Sequence, residues 1–281
     1  MSNATSIRAK LLNIARKEKI AFQVILLRYI HERFLYRLSI SKYKNNFFLK
    51  GGNFIYAIEG LLARPTKDID LLGQDIFNDM DNLKNAIVEI ANTKCKEDFV
   101  IFNTKTISIE PITEKNLYNG VRLKLNASFD TTKQNIQIDI GFGDTIIPKP
   151  TTLDYPTLLP DVPAPKLTVY TLETVIAEKF HAMVVLSSLN SRMKDFYDVY
   201  NLLTKHTINY KTLEKAITNT FLMRETTLTN EHALFTDDFK NDPKRLQMWN
   251  VFLKKINVKE ALSFQTVMQT ITEQLKPILL K

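Results

Sequence analysis

Two adjacent glycines, Gly51 and Gly52, are followed sixteen residues later by the aspartates Asp68 and Asp70, which stand in an otherwise apolar run. The whole chain contains seven glycines, so a pair in succession indicates a backbone that turns sharply or comes close to another group. The pair separates a strand-like run, FFLK, from a helix-like run, NFIYAIEGLL. Because free N–H groups and the positive end of a helix meet at such a corner, these residues predict a phosphate-binding site. A tight turn that only connects strand and helix is the alternative.

Three polar residues flank this corner in the sequence: Lys50, Arg64 and Thr66. Each side chain can donate hydrogen bonds to an anion, so we predict that they contact a bound phosphate. An ordinary surface position is the alternative for each of them.

The two aspartates lie in KDIDLLG, whose alternation of polar and apolar residues predicts a β-strand. Residues i and i+2 of a strand point to the same face, about 6.6 Å apart along the backbone, so Asp68 and Asp70 share one face. Their carboxylates repel each other unless a cation lies between them. Mg²⁺ prefers such oxygen ligands, and Mn²⁺ is an alternative ion. A solvated edge strand whose aspartates face water is the competing interpretation.

A third carboxylate, Asp139, lies among β-forming residues in the segment QIDIGFGD. A neighbouring strand would bring it beside the first pair, which predicts Asp139 as a further metal ligand. Asp144 follows Gly143 in a predicted turn of the same segment, and a structural role is favoured for it.

The order of helix-like and strand-like segments predicts an α+β fold with a small mixed or antiparallel sheet. Two helices are expected between residues 5 and 40, and another over residues 80–94. The pair Asn119-Gly120 and the polar run DTTKQN are predicted to connect strands as hairpins. Strands are expected over residues 47–50, 67–73, 98–112, 120–130 and 135–144.

The composition changes sharply after the last of these strands. Six of the ten prolines lie in residues 148–166, which favours an extended segment, and nearly everything beyond it reads as helix. We therefore predict an amino-terminal helical arm with an α/β core over residues 1–147, a Pro-rich strap over 148–166, and an all-helical domain over 167–281.

Charge and cysteine content limit the partners and the compartment. The formal net charge of +8 favours acidic partners such as nucleic acid or nucleotides. The single cysteine, Cys95, excludes an internal disulfide and suits a reducing cytoplasm. The longest apolar stretches are short and interrupted by charges, and the amino terminus lacks an apolar signal segment, so no membrane partner is expected.

The glycine pair, the helix, the D-x-D strand and the later strand aspartate together resemble the nucleotidyltransferase superfamily related to polymerase β. Longer motifs resemble, in order, the AbiEii/AbiGii-type toxins of type IV toxin–antitoxin and abortive-infection systems, which include the mycobacterial MenT enzymes. These motifs are ERFLYRLSISKYKNNFFLKGG, RPTKDIDLL, QIDIGFGD, YTLETVIAEKFHAMV and RMKDFYDVYNLL.

This resemblance implies a nucleotidyltransferase-like core and a Mg²⁺-dependent enzyme that uses an NTP. The enzyme would transfer NMP to an RNA acceptor, the 3′ end of tRNA, and thereby inhibit translation and growth. A cognate antitoxin encoded by a neighbouring gene is implied as a partner. Two other functions remain open: nucleotidylation of a protein or small-molecule hydroxyl, and a non-catalytic RNA-binding module with this fold.

The resemblance also implies roles for single residues. The glycine pair would contact the nucleotide phosphates, and the D-x-D aspartates would hold the metal. Lys179 would contact phosphate or nucleotide, and Asp195 would be the final essential acid, with Asp198 as structural support. From the residues alone, a salt-bridged pair of packed helices is the alternative, with Arg192 and Lys179 matched to Asp195 and Asp198. His181, two positions from Lys179, is expected to be packed or on the surface.

Overall fold

The computed structural model divides the chain into two compact units. Unit 1 comprises Met1–Gly143 and Pro150–Tyr170, and unit 2 comprises Asp144–Lys149 and Thr171–Lys281. In the described part of the chain, every helix is too short or too polar to span a bilayer. The structure describes residues 3–95, 97–112, 120–227, 229, 232–258 and 261–280.

Unit 1 combines helices with one mixed sheet, which confirms the predicted α+β class. Its longer helices are α1 (Ala4–Glu18), α2 (Phe22–Ile40), α3 (Gly51–Glu59) and α4 (Met80–Ala91). Its strands are β1 (Phe47–Lys50), β2 (Asp68–Gly73), β3 (Val100–Ile112), β4 (Gly120–Phe129), β5 (Thr132–Gly141), β6 (Thr151–Asp154) and β7 (Lys166–Val169).

Strand β2 lies in the interior of this sheet, whose order among the described residues is β3-β4-β5-β2-β1-β7-β6. It pairs antiparallel with β1 and parallel with β5. Ile69 and Leu71 on one face of β2 are fully buried, whereas Asp68 and Asp70 on the other face are half-buried. This alternation fixes which side chains of β2 point to the core, since a slip of one residue would bury the carboxylates.

The five strands predicted from the sequence are confirmed as β1 to β5. The DTTKQN hairpin is also confirmed, because β4 and β5 are joined at Asp130 and Thr131, with Phe129 paired to Thr132. The other hairpin was predicted at Asn119-Gly120. Gly120 begins β4, and Asn119 lies outside the described residues.

Two strands lie in and just after the Pro-rich segment, and neither is predicted from the sequence. The second, β7, begins at Lys166 and occupies residues 167–169, so the part predicted to be all helical starts with a strand of the sheet. Strand β6 pairs antiparallel with β7, and β7 pairs parallel with β1 at Val169 and Leu49. The prolines of the segment lie outside these four-residue ladders, so none has to donate a ladder hydrogen bond. Tyr155 and Leu159, between the two strands, are buried in unit 1.

Helix α2 lies in the core of unit 1 rather than in a peripheral arm, and it carries buried charges. Arg37 makes a bidentate ion pair with Asp98 at 2.6 Å (Nη1–Oδ2) and 3.1 Å (Nη2–Oδ1). Its guanidinium also donates to the carbonyl oxygens of Arg33, Thr93 and Val100. These contacts tie α2 to the start of β3, and they satisfy a charge that would otherwise be costly to bury.

The regular elements of unit 2 are all helices in its described residues, and they follow one another from Leu172 onward, as predicted for the carboxyl-terminal part. Thr171 caps the first helix with its side chain, as its position in the sequence predicts. Phe264 lies at the centre of an aromatic cluster, with ring centroids 5.2 Å from Phe196 and 5.5 Å from Trp249. The longer helices are α5 (Leu172–Leu186), α6 (Met193–Lys205), α7 (Tyr210–Met223), α8 (Asp237–Asn241), α9 (Pro243–Lys255) and α10 (Phe264–Leu275).

We predict that Arg37→Met lowers the free energy of unfolding by about 3–5 kcal/mol, because it leaves the buried Asp98 carboxylate without its partner. Urea denaturation followed by circular dichroism measures this change. Lys42→Met is the control, since Lys42 makes an exposed ion pair with Glu89 and its loss should change the stability little. Equal stability of Arg37→Met and the unaltered protein would contradict the assignment of Arg37 as the anchor of α2.

Candidate functional site

The predicted metal ligands lie on one face of the sheet in unit 1. Parallel pairing of β2 with β5 places Asp70 directly opposite Asp139, and Asp68 opposite Gln137. One carboxylate oxygen from each of Asp68, Asp70 and Asp139 lies within 4.8 Å of the other two. Three hard oxygen donors at this spacing fit a divalent cation such as Mg²⁺.

The glycine pair occupies the corner between β1 and α3, beside these carboxylates. Gly51 has a φ of +63°, and a Cβ atom built there would lie 2.0 Å from Oδ2 of Asp70. A Cβ at Gly52 would lie 2.7 Å from the Oγ1 and Cβ atoms of Thr66. Glycine is therefore required at both positions for two different reasons: room for a carboxylate at the first, and room for Thr66 at the second.

The amino terminus of α3 begins at this same corner. Its N-cap residue, Lys50, makes no side-chain capping hydrogen bond to the first turn. The first N–H groups of an α-helix have no partner within the helix, so this end is suited to an anion. The predicted phosphate-binding corner is thus adjacent to the predicted metal ligands, since Lys50 pairs with Asp70 in the β1–β2 ladder.

Asp68 is held in position by Thr66, which lies in the loop before β2, and by Asn53 of α3. Thr66 donates from Oγ1 to its carboxylate oxygen Oδ1 at 2.6 Å. Asn53 of α3 donates from Nδ2 to its main-chain carbonyl oxygen at 2.7 Å, and Asn53 Oδ1 accepts from the Tyr155 hydroxyl at 2.9 Å. His31 faces the Asn53 amide at 3.5 Å, and burial lowers its pKa to about 4, which leaves the ring neutral at physiological pH.

Asn53 was missed by reasoning from the sequence. It is buried, although asparagine is usually exposed, and it joins the first turn of α3 to the strand that carries the aspartates. One feature of the sequence could have indicated it: Asn53 directly follows the glycine pair and lies on the first turn of the predicted helix.

Asp139 is buried, and both oxygens of its carboxylate accept hydrogen bonds within the unit. Arg122 of β4 donates to Oδ1 from Nε at 2.9 Å and to Oδ2 from Nη2 at 2.7 Å. Gln137 donates to Oδ2 from Nε2 at 3.2 Å. Arg122 was also missed from the sequence, because only the β4–β5 register places it opposite Asp139.

The two predicted cationic phosphate contacts of unit 1 differ in their surroundings. Lys50 is buried, with Nζ 3.3 Å from the Tyr170 hydroxyl and 5.0 Å from the centre of its ring. Arg64 is half-buried, and its guanidinium donates to the Pro65 carbonyl oxygen at 3.2 Å, among other contacts. Because Lys50 is buried, it is not the ordinary surface residue that the sequence left open as an alternative.

The remaining predicted site residues belong to unit 2, where α5 and α6 bring them together. Lys179 Nζ lies 2.8 Å from Asp195 Oδ1 and 2.9 Å from Asp198 Oδ2. Arg192 Nε lies 2.7 Å from the other oxygen of Asp195. Burial by itself would raise the pKa of Asp195, but the charges of Lys179, Arg192 and Lys194 outweigh it and hold the pKa well below its usual value. Asp195 is therefore ionised. Its contacts, together with those of Asp198, match the salt-bridged pair of packed helices that the residues alone suggested as the alternative to a nucleotide contact.

Asp144 and His181 also lie in unit 2, in a separate group of contacts. Arg224 donates to Asp144 at 2.7 Å and faces Nδ1 of His181 at 3.4 Å. Nε2 of His181 is 2.8 Å from the Thr226 hydroxyl. Burial and then the charge of Arg224 lower the pKa of His181 to about 4, so a packed, neutral histidine is observed, as expected.

We predict that Gly51→Ala destabilises unit 1 more than Gly60→Ala does. Both glycines have φ near +60°, a conformation that L side chains rarely adopt, so either substitution carries a backbone cost of about 1–3 kcal/mol. At Gly60 a Cβ would meet nothing within 4 Å, whereas at Gly51 it would displace Asp70, for about 1–3 kcal/mol more. Urea denaturation of the two variants measures the difference. Equal losses of stability would show that the Asp70 side chain moves freely out of the way.

Comparisons of the whole chain with known proteins show what it resembles. The profile of the family described as "Nucleotidyl transferase AbiEii toxin, Type IV TA system" matches residues 33–270. No curated protein has significant similarity to the chain. Two solved structures from Helicobacter pylori resemble it in fold, although their sequence identity is low.

One of these is a candidate nucleotidyltransferase, with a TM-score of 0.52 and 14% identity, over 92% of this chain and 95% of its own. The other is the protein JHP933, with a TM-score of 0.53 and 15% identity, over 92% of each chain. At these identities the likeness supports the fold alone.

Proposed function

The chain belongs to the AbiEii family of nucleotidyl transferase toxins of type IV toxin–antitoxin systems, and we propose that it transfers NMP from an NTP to the 3′ end of tRNA. The observation that supports this most is the convergence of three carboxylates beside a glycine corner at the start of α3. The formal net charge of +8 is consistent with an RNA acceptor, because phosphate contacts dominate affinity for nucleic acids. Extension of tRNA would block its aminoacylation and stop growth.

In this proposal Asp68 and Asp70 hold the divalent cation, and Asp139 is available as a third ligand. Mg²⁺ bound there would polarise the nucleotide phosphates and lower the pKa of the acceptor hydroxyl. These carboxylates would fix the position of the cation, since the β2–β5 pairing sets Asp70 opposite Asp139 and the Thr66 hydrogen bond holds Asp68. Mn²⁺ would substitute for Mg²⁺ on the same oxygen donors.

The rest of the triphosphate is assigned to the corner between β1 and α3. Backbone N–H groups of Gly51 and Gly52 and the positive end of α3 bind phosphate oxygens, and Lys50, Arg64 and Thr66 contribute charge and hydrogen bonds around them. These groups hold the phosphates in place while the acceptor oxygen bonds to the α-phosphorus and the bond to pyrophosphate breaks. The acceptor hydroxyl loses its proton to solvent water in this step, and pyrophosphate leaves with the electron pair of the broken bond.

Lys179 and Asp195 of unit 2 are proposed to complete the reaction. Lys179 would neutralise negative charge that develops on the phosphates. Asp195 would position Lys179 through the 2.8 Å ion pair, and Asp198 would support it from the other side at 2.9 Å. We further propose that the reaction takes place in the cytoplasm and is restrained there by an antitoxin encoded by a neighbouring gene.

We predict that the full-length protein, incubated with Mg²⁺, total tRNA and each α-labelled NTP in turn, labels tRNA with at least one NTP. Asp70→Asn should lower the labelling at least about 100-fold, because the cation loses a charged ligand. Asp154→Asn is the matched control: the same substitution at an exposed aspartate of unit 1, expected to retain full activity. EDTA should abolish labelling in every variant.

Three outcomes would contradict this function in different ways. Full activity of Asp70→Asn would remove the carboxylates from the mechanism. Label on protein or on a small molecule would place the acceptor in another class. Absence of label together with a gel shift of tRNA would favour a non-catalytic RNA-binding module.

We predict that Lys179→Met and Lys179→Arg separate catalysis from packing. Lys179→Met should lower the free energy of unfolding by about 3 kcal/mol, because the buried Asp195 and Asp198 lose a shared cation. It should also lower tRNA labelling at least about 100-fold. Lys179→Arg should recover most of the stability and little of the activity, since a guanidinium places its charge differently.

The control for this pair is Lys205→Met, which removes an exposed charge near the end of α6 and should change neither property. Urea denaturation and the labelling assay report the two properties separately. If Lys179→Met lost stability but kept its labelling activity, the role of Lys179 would be to hold the helices together and not to contact phosphate.

A further inference from the structure

Arg122 is the residue through which the structure extends the proposed function. It stands on β4 directly opposite Asp139 of β5 in the antiparallel register. Two of its nitrogens meet the two oxygens of that carboxylate, Nε–Oδ1 at 2.9 Å and Nη2–Oδ2 at 2.7 Å. This is the fork geometry in which arginine binds a carboxylate most strongly. Arg122 therefore occupies the same carboxylate oxygens of Asp139 that would bind a metal ion.

The spacing of the carboxylates explains why a positive side chain is favoured at this point. Two unit negative charges about 4 Å apart repel by about 4 kcal/mol at the effective dielectric of a protein surface. Asp68, Asp70 and Asp139 each bring an oxygen within 4.8 Å of the others, so compensating positive charge lowers the energy of the cluster. The Arg122 guanidinium supplies one such charge from within the chain.

The two partners differ in their freedom to separate. The Asp139 side chain is 9% exposed and fixed within a strand, whereas the Arg122 side chain is 30% exposed. Arginine has a long, flexible stem, so its guanidinium can turn to solvent while the backbone stays in place. Exchange of Arg122 for another cation on Asp139 therefore needs no change in the sheet.

We propose that Arg122 is the resident counter-ion of Asp139 and competes with a divalent cation for this carboxylate. The inference rests on the proposed function, in which Asp68 and Asp70 hold that cation. A divalent ion first binds to those two aspartates. Asp139 becomes a ligand only when Arg122 leaves it, so Arg122 sets both the affinity of the site and the number of carboxylates that hold the ion.

The test measures binding of Mn²⁺ to the full-length, nucleotide-free protein by electron paramagnetic resonance of the free ion. Arg122→Gln should bind Mn²⁺ about tenfold more tightly than the unaltered protein. Lys124→Gln is the matched control, because Lys124 lies two residues along β4 and pairs with the exposed Glu110. It removes the same charge without freeing Asp139, and its affinity should stay within about twofold of the unaltered protein.

Asp139→Asn, in two backgrounds, tests the competition directly. In the unaltered protein it should weaken Mn²⁺ binding by no more than about twofold, because Arg122 occupies Asp139 there. In the Arg122→Gln background it should weaken binding about tenfold, because Asp139 is then a ligand. Equal effects in both backgrounds, or no tightening by Arg122→Gln beyond that of Lys124→Gln, would overturn the proposal.

Thermal unfolding in EDTA gives a readout independent of metal affinity. Arg122→Gln should lower the melting temperature more than Lys124→Gln does, and Mn²⁺ should restore it, because the ion replaces the missing charge. Arg122→Lys keeps the charge but loses the two-pronged contact of the guanidinium. Its Mn²⁺ affinity should therefore lie between that of the unaltered protein and that of Arg122→Gln. An Arg122→Lys affinity equal to that of Arg122→Gln would overturn a competition based on charge.

Asp70→Asn distinguishes failure of this inference from failure of the proposed function. If Asp70→Asn binds Mn²⁺ as tightly as the unaltered protein, the cation is not held by this site and both proposals are wrong. If Asp70→Asn loses binding while Arg122→Gln shows no tightening, the metal site stands and only the role of Arg122 is wrong.

Discussion

Parallel pairing of β2 with β5 is the constraint on which the candidate site depends. It sets Asp70 opposite Asp139 and, on the other face of β2, buries Ile69 and Leu71 completely. A slip of one residue would exchange these two faces, so the hydrophobic core and the carboxylate cluster specify the same register. The cluster is thus stable in spite of its own repulsion, because the energy of core burial holds the strands in place.

Local patterns in the sequence predict most of unit 1 because its first five strands alternate or carry β-branched residues. Strands β6 and β7 are only four residues long, and they lie in and just after a segment rich in proline, so the short alternation of β7 was not recognised as a strand. The burial of α2 is also hidden, since arginines on a helix usually indicate a solvent-exposed face. Arg37 is buried because its partner, Asp98, lies about sixty residues further along the chain, and no local pattern reports that pairing.

The candidate site shows the same division between local and long-range information. Asp68, Asp70 and Asp139 could be predicted because an i, i+2 pair in a strand and a later strand aspartate are visible in the sequence. The partner of Asp139 depends on how β4 and β5 align, yet the short turn at Asp130 and Thr131 determines that alignment. The strands predicted from the sequence end at residue 130 and resume at residue 135, a register that pairs residue 122 with residue 143, so Arg122 was missed. Asn53 was missed because its hydrogen bond joins a helix to a strand through tertiary packing.

The two groups of candidate residues differ in what surrounds their carboxylates. In unit 2, Lys179 and Arg192 meet Asp195 and Asp198, and these contacts hold the Lys179 ammonium group in one place. In unit 1, oxygens of Asp68, Asp70 and Asp139 converge within 4.8 Å of one another, and Arg122 pairs with Asp139 through a side chain that is partly exposed. A divalent cation prefers such convergent carboxylate oxygens, and the long stem of arginine lets its guanidinium turn to solvent. These arrangements favour a metal-binding role for the carboxylates of unit 1 and a positioning role for Asp195 in unit 2.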